Sequence, residues 1–381
     1  MSIIIYNKLH VGWLLLLAAL LTAACSGDSE EVSVPGTPGD EDVLELVAYT
    51  RELADDQSSP TRAIPRGYSE YPAAGDENVS HIGVYLTTAE MTDIPSMGTF
   101  FYTNNKWNSL VSVKPGVTYY IYGFMPSDIG TCTVEKLKDN SNDLDFSNGV
   151  TMTLSGMTPV SLQDLCVITA VQDMDSEDEE IDLTTGNFKY VGKVKSEDQP
   201  GSSQVKNQVR LMFVHAFAAI RMKMTVDKDY AKLRDIRLKE IRLKSGYQYT
   251  HDGKFTFTKR GNVFDWGSAK ASMTEEQAKG VVLFSDEDGE SLSPVAAKTL
   301  QGYWIPISSV KDNLYLVSKY DVYDMKGNLV RKDCVAENKL PPTKLMTSVG
   351  SRTNFELTVN PTYLYVLSDP DLDNPTVEIG M

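Results

Sequence analysis

The 381-residue sequence has few of the side chains on which most enzyme mechanisms and metal centres depend. It contains four histidines and four cysteines, with no CxxC pair and no Cys/His spacing that would predict a zinc site. No GxSxG, HExxH, GxGxxG or Walker pattern occurs. We therefore expect a protein that is not an enzyme and that uses no cofactor and no metal.

Basic residues are also scarce, with 36 Lys and Arg against 52 Asp and Glu, a net charge of -16. A surface of that sign repels a phosphate backbone, so nucleic acid is not an expected partner. Acidic residues cluster at 173–177, 286–288 and 369–373. None of these clusters has the glycine and glutamate spacing of an EF-hand loop, and we interpret them as solvated loops.

The one long apolar run of the sequence, residues 11–21, lies near the N-terminus and follows Lys8. Its length and flanks predict a secretory signal over residues 1–24 and not a stable membrane span. The run ends in LTAAC, which resembles a bacterial lipobox and implies lipid on the thiol of Cys25. Residues 25–42 are rich in Ser, Gly, Pro and acids, so we expect an acidic tether beyond an outer-membrane lipid anchor.

Alternation of helix and strand patterns is absent, whereas period-two alternation is frequent. It predicts strands at VLELVAYT, HIGVYL and TYYIYGFMP, and one long strand through VRLMFVHAFAAIRMKMTV. Asp252-Gly253 predicts a hairpin turn inside YQYTHDGKFTF, and residues 326–328 predict another. Thr274, with Gln277 three residues later, predicts a helix start. The predicted class is all-β, with antiparallel β-sandwiches and few short helices.

A polar stretch near residues 173–207 divides the chain into two predicted β-sandwich domains, 43–205 and 206–381. We expect Greek-key, transthyretin-like sandwiches. Within them, Cys166 is interpreted as a buried thiol and His215 as a core or edge histidine. The odd set Cys132, Cys166 and Cys334 leaves any disulfide pairing open.

The stretch QSSPTRAIPRG, residues 57–67, is polar, contains two prolines and two arginines, and follows the first predicted strand. It is either an ordinary surface loop or an accessible cut site that frees that strand.

Several features together resemble the fimbrillins, subunits of the type V pili (fimbriae) of the Bacteroides group. They are the lipobox, the acidic tether, one apolar strand, an arginine-containing loop, and the segments VHAFAAIRMKMTV, LRDIRLKEIRLKS and NPTYLYVLSDPDLDNP. The resemblance implies a cell-surface lipoprotein precursor whose first strand fills a groove in its own sheet. An arginine-specific protease removes that strand, and a strand of another subunit takes its place in the fimbrium.

The resemblance also implies the site residues. Cleavage falls at Arg62-Ala63, with Arg66-Gly67 as second choice, and Arg51 is protected within the strand. Some family members stay uncut as anchors. The removable strand spans residues 43–53 and points Leu44, Leu46 and Ala48 into the groove.

The candidate donor of the replacement strand is the C-terminal segment, residues 353–381, in which large apolar side chains alternate on both sides of Asn360-Pro361. These side chains are Phe355, Leu357, Val359, Tyr363, Tyr365 and Leu367. The expected function is adhesion as a pilus subunit, with a surface ligand that the sequence leaves open. A surface lipoprotein that binds glycans without polymerising is the alternative, and a secreted hydrolase is a third.

Overall fold

The computed structural model describes residues 43–53, 67–73, 79–137, 146–175, 187–194, 206–258 and 261–360, and the backbone of 376–380. It confirms the all-β class, because strands make up most of these residues. Helices in the described part are two four-residue segments and three 3-10 turns, and none is long and apolar enough to span a bilayer. They are α1 (Glu275–Ala278), α2 (Ser308–Lys311), Phe146–Asn148, Tyr230–Lys232 and Pro342–Lys344.

The strands number 22 in the described residues. In chain order, the first eleven are β1 (Leu44–Arg51), β2 (Tyr68–Tyr71), β3 (Ile82–Thr87), β4 (Gly98–Thr103), β5 (Lys106–Asn108), β6 (Thr118–Met125), β7 (Thr131–Lys136), β8 (Gly149–Met157), β9 (Val160–Ser161), β10 (Cys166–Asp173) and β11 (Lys189–Val191). The others are β12 (Asn207–His215), β13 (Ala218–Val226), β14 (Arg234–Ser245), β15 (Tyr249–Thr258), β16 (Gly261–Ser272), β17 (Val281–Ser291), β18 (Lys298–Trp304), β19 (Leu314–Asp324), β20 (Leu329–Lys339), β21 (Arg352–Asn360) and β22 (Thr376–Gly380).

These strands form four sheets. The largest has the order β2-β1-β12-β10-β6-β3-β4-β5, with β11 also paired to β6. A five-stranded sheet has the order β22-β21-β13-β18-β9. The two four-stranded sheets are β17-β14-β19-β20 and β16-β15-β8-β7. Most neighbours are antiparallel, but β1 with β12 and β21 with β13 are parallel.

Two large apolar cores account for most of the buried side chains. The first is built by the nine-stranded sheet and the β7–β8–β15–β16 sheet, and the second by the remaining two sheets. The cores do not follow the chain in order, because β12 and β15 come after residue 205 and supply Phe213 and Phe257 to the first core. The division into two β-sandwich domains, 43–205 and 206–381, stays a prediction, as does the Greek-key, transthyretin-like arrangement.

The single long strand expected through residues 209–226 is wrong. The chain forms β12 and β13 instead, separated by Ala216 and Phe217, and the two strands belong to different sheets. Phe217 is 1% exposed and stacks on Trp266 with ring centroids 5.3 Å apart. Packing of this aromatic pair at the corner outweighs the local preference for an uninterrupted strand.

The hairpin turn expected at Asp252-Gly253 is also wrong. Residues 249–258 form one strand, β15, with a register shift between His251 and Gly253. A Cβ atom at Gly253 would lie 2.7 Å from the Phe255 ring and 2.8 Å from the Trp266 ring. The glycine is therefore explained by the close approach of two aromatic rings and not by a turn.

Candidate functional site

The first strand of the described chain, β1, is enclosed within the largest sheet. It pairs in parallel with β12, from Leu44 opposite Asn207 to Thr50 opposite Phe213. On its other edge it pairs antiparallel with β2. β2 covers only Ala48–Arg51 of that edge, and no other strand pairs with β2 in the described residues.

One face of β1 enters the first apolar core. Leu44, Leu46 and Ala48 are 2%, 6% and 0% exposed and pack in the same cluster as Val209 and Leu211 of β12. The alternation LELVAYT produces this face, because every second side chain of a strand points the same way. The structure therefore places the three side chains expected to fill a groove against the core beside β12.

The opposite face of β1 is covered by a smaller cluster. Tyr49 is 8% exposed and packs with Tyr68 of β2 and with Ala170 and Met212, and Val47 lies against the same group. Burial raises the pKa of the Tyr49 phenol. With both faces and both edges in contact, β1 has the environment of an interior strand although it is the first strand of the chain.

Polar contacts hold the amino end of β1. The Leu44 amide donates to the Val111 carbonyl at 2.8 Å, and the Glu45 carboxylate forms an ion pair with Lys206 at 3.2 Å and accepts from Gln208. Burial acts to raise the pKa of Glu45, but the bonds from Gln208 and Lys206 outweigh it and lower the pKa below its ordinary value. Glu45 is half exposed, so this pair contributes little to the free energy of unfolding.

A largely buried cluster of Asp164, Cys166 and His215 lies at the carboxyl end of β1, with Cys166 fully buried and the other two partly exposed. His215 Nε2 donates to the Arg51 carbonyl, and Nδ1 contacts the Asp164 carboxylate and lies 3.4 Å from Cys166 Sγ. Burial raises the pKa of the Cys166 thiol to about 11. Burial lowers the pKa of His215, but the Asp164 carboxylate outweighs it and holds the pKa well above its ordinary value.

Sequence reasoning missed this cluster. Cys166 and His215 are 49 positions apart and meet because β10 and β12 pair with these two residues opposite each other. The separation of the two residues in the sequence does not predict the register in which β10 and β12 pair. The signal that was available is local: Asp164 lies two positions before Cys166, the first residue of β10, a spacing at which side chains of an extended chain share a face.

The structure describes the first half of the candidate donor segment, as far as Asn360, and the backbone of residues 376–380. Phe355, Leu357 and Val359 are buried in β21, at 1%, 1% and 8% exposure, within the second core. The outer edge of β21 is covered by β22. The other predicted site residues lie outside the described residues: Cys25, Arg62, Ala63, Arg66, Tyr363, Tyr365 and Leu367.

No protein-family model matches the chain, and no curated protein sequence matches it. Several solved structures match the chain. A fimbrial protein from Bacteroides vulgatus overlays 88% of this chain and 98% of its own, with 14% identity and a TM-score of 0.37. A candidate cell adhesion protein from Bacteroides ovatus covers 89% and 95%, with 11% identity and a TM-score of 0.36. A fimbrial anchor protein from Porphyromonas gingivalis covers 88% and 97%, with 9% identity and a TM-score of 0.26.

Proposed function

We propose that this chain is a structural subunit of a cell-surface pilus that polymerises by strand exchange and serves adhesion. It is exported as an outer-membrane lipoprotein through Cys25. An arginine-specific protease then cuts the segment between β1 and β2, and β1 departs with its lipid. A strand of a second subunit fills the vacated groove.

The observation that carries the proposal is the position of β1. It is the first strand of the described chain, and it occupies an interior place in the sheet between β12 and β2. A cut between Leu53 and Gly67 leaves β1 attached by non-covalent contacts alone. An interior strand that a single cut can free is the requirement for strand exchange.

Loss of β1 would leave an edge that favours a new strand. The backbone of β12 would lose one row of hydrogen-bond partners, and β2 would lose the partner it has in the described sheet. Leu44 and Leu46 each stabilise the docked strand by roughly 1.5–3 kcal/mol through burial. A replacement strand with large alternating side chains recovers this burial free energy. Polymerisation therefore offsets the stability that the subunit loses when β1 departs.

We place the exchanged donor strand in the part of the C-terminal segment beyond β21. Phe355 and Leu357 are each 1% exposed, and their withdrawal would open the second core of the donor subunit. Tyr363, Tyr365 and Leu367 repeat the same alternation further along the chain. They are the side chains that we expect to take the places of Leu44, Leu46 and Ala48.

Digestion of the purified full-length chain with an arginine-specific protease tests the proposal. We expect cleavage at Arg62, a new N-terminus at Ala63, release of the β1 fragment, and oligomer ladders that resist mild denaturant. Arg51 should remain uncut, because its backbone is paired with Tyr68.

The control is the double variant Arg62→Ala, Arg66→Ala, which should stay intact and monomeric under the same digestion. A chain that is cut at Arg62 but keeps its fragment and remains monomeric would contradict strand exchange. Binding of polysaccharide by that monomer would favour the non-polymerising alternative.

A further inference from the structure

We propose that Asp164, Cys166 and His215 form a binding site for one divalent cation of the zinc class, at the carboxyl end of β1. The three residues offer a carboxylate oxygen, a thiol sulfur and an imidazole nitrogen, and these atoms lie within 4.8 Å of one another. Thiolate and imidazole together select zinc-class cations over magnesium or calcium. This inference is independent of the pilus proposal, because it depends on the cluster alone.

One pair of donor atoms has the spacing that a small cation requires. Zinc bonds of about 2.0–2.3 Å in tetrahedral geometry separate neighbouring ligand atoms by roughly 3.5 Å. Cys166 Sγ and His215 Nδ1 are 3.4 Å apart. Asp164 Oδ2 contacts Nδ1 directly, closer than two ligands of one cation, so the Asp164 side chain would draw back as the cation takes the place of the proton between them.

Asp164 also has an unused acceptor. Its Oδ1 is buried and receives no hydrogen bond from any described residue. A buried carboxylate oxygen without a partner is costly, and a cation beside it removes that cost. The most exposed member of the cluster is Asp164, at 17% of its side chain, which puts the entry path on its side.

The imidazole is held in the orientation that a ligand needs. His215 Nε2 donates its proton to the Arg51 carbonyl, which can only accept. That bond keeps a proton on Nε2, so Nδ1 faces Cys166 and Asp164 and is the nitrogen that binds the cation once its own proton leaves. Metal-binding histidines in proteins commonly donate their other N–H to a carbonyl or carboxylate in this way.

The charge balance is favourable for a buried site. The cation displaces one proton from Nδ1 and one from the Cys166 thiol, and both leave to solvent without any change of oxidation state. A thiolate, a carboxylate and a neutral imidazole then carry two negative charges, which neutralise a divalent cation. Because His215 also contacts the last residue of β1, occupancy should slow hydrogen exchange of the amides near Arg51.

Cobalt(II) is the probe for the test, because a cobalt–thiolate bond produces a charge-transfer band in the near ultraviolet. We expect the reduced, chelator-stripped full-length chain to develop this band to saturation at one equivalent of Co²⁺ and to lose it when Zn²⁺ is added. Cys166→Ser should abolish the band. Asp164→Asn should retain it with affinity weakened at least about tenfold.

Matched controls are Cys132→Ser and His81→Gln, whose side chains lie outside the cluster and which should bind as the unaltered chain does. The proposal is overturned by a chain that develops no band, or by a band that survives in Cys166→Ser. If Cys166→Ser does not fold, the Asp164→Asn variant serves as the test. An affinity of that variant for Co²⁺ equal to that of the unaltered chain overturns the site.

Discussion

Leu46→Asp in the uncut chain is expected to cause polymerisation without any protease. Leu46 is 6% exposed and packs in the first core against β12. Loss of the leucine side chain weakens the docking of β1 by about 2–5 kcal/mol. An unpaired carboxylate buried in its place weakens the docking by several kcal/mol more. The change weakens only the strand that leaves, because the acceptor groove on β12 and the C-terminal donor segment keep their own residues.

The measurement is the mass distribution of freshly purified precursor, with intact N-termini verified by sequencing. Glu45→Ala is the matched control, since Glu45 is the neighbouring residue and its half-exposed ion pair with Lys206 is worth at most about 1 kcal/mol. That variant should remain monomeric until it is cut. If uncut Leu46→Asp stays monomeric while β1 is displaced, as judged by rapid hydrogen exchange at β1, release of the strand is not the trigger for assembly.

Truncation after Asn360 is expected to abolish self-polymerisation of the cut subunit. The truncated chain keeps β21 and the second core, and it loses β22, which in the described sheet covers only the edge of β21. Without residues 361–381 a subunit can accept a strand but has none to give. Mixed with cut full-length subunits, it should therefore stop growing chains, and mean polymer length should fall as its fraction rises.

Point variants distinguish loss of the donor from damage to the fold. The triple variant Tyr363→Asp, Tyr365→Asp, Leu367→Asp retains the full length and should match the truncation, because charged side chains cannot enter an apolar groove. Asp369→Asn, Asp371→Asn is the control and should polymerise normally. Polymers of normal length from the truncated subunit would place the donor strand elsewhere in the chain.

Local patterns were sufficient to predict several elements. The alternation in VLELVAYT and HIGVYL predicted β1 and β3, and the described structure has both. The Thr274–Gln277 pair forms the expected reciprocal cap, with Thr274 Oγ1 accepting from the Gln277 amide at 3.2 Å. The turn expected at residues 326–328 joins β19 to β20. These features depend on residues within a few positions of one another, which is why the sequence alone was enough.

Strand partners and the ends of long strands could not be predicted in this way. The break between β12 and β13 depends on the stacking of Phe217 against Trp266, a residue 49 positions away. The pairing of Cys166 with His215 depends on the register of β10 against β12. Both are set by packing between segments that are distant in the chain, and a period-two pattern is the same whichever partner the strand takes.

The parallel pairing of β1 with β12 has a consequence for any assembly built on that groove. A strand that inherits the hydrogen bonds of β1 must enter with its amino end beside Asn207 and its carboxyl end beside His215. Every junction then joins two unlike surfaces in the same sense, and such head-to-tail contacts build an open fibre when the rotation between subunits does not close a ring. Such a fibre is polar, with two chemically distinct tips. The end at which subunits add therefore differs from the end that faces the cell.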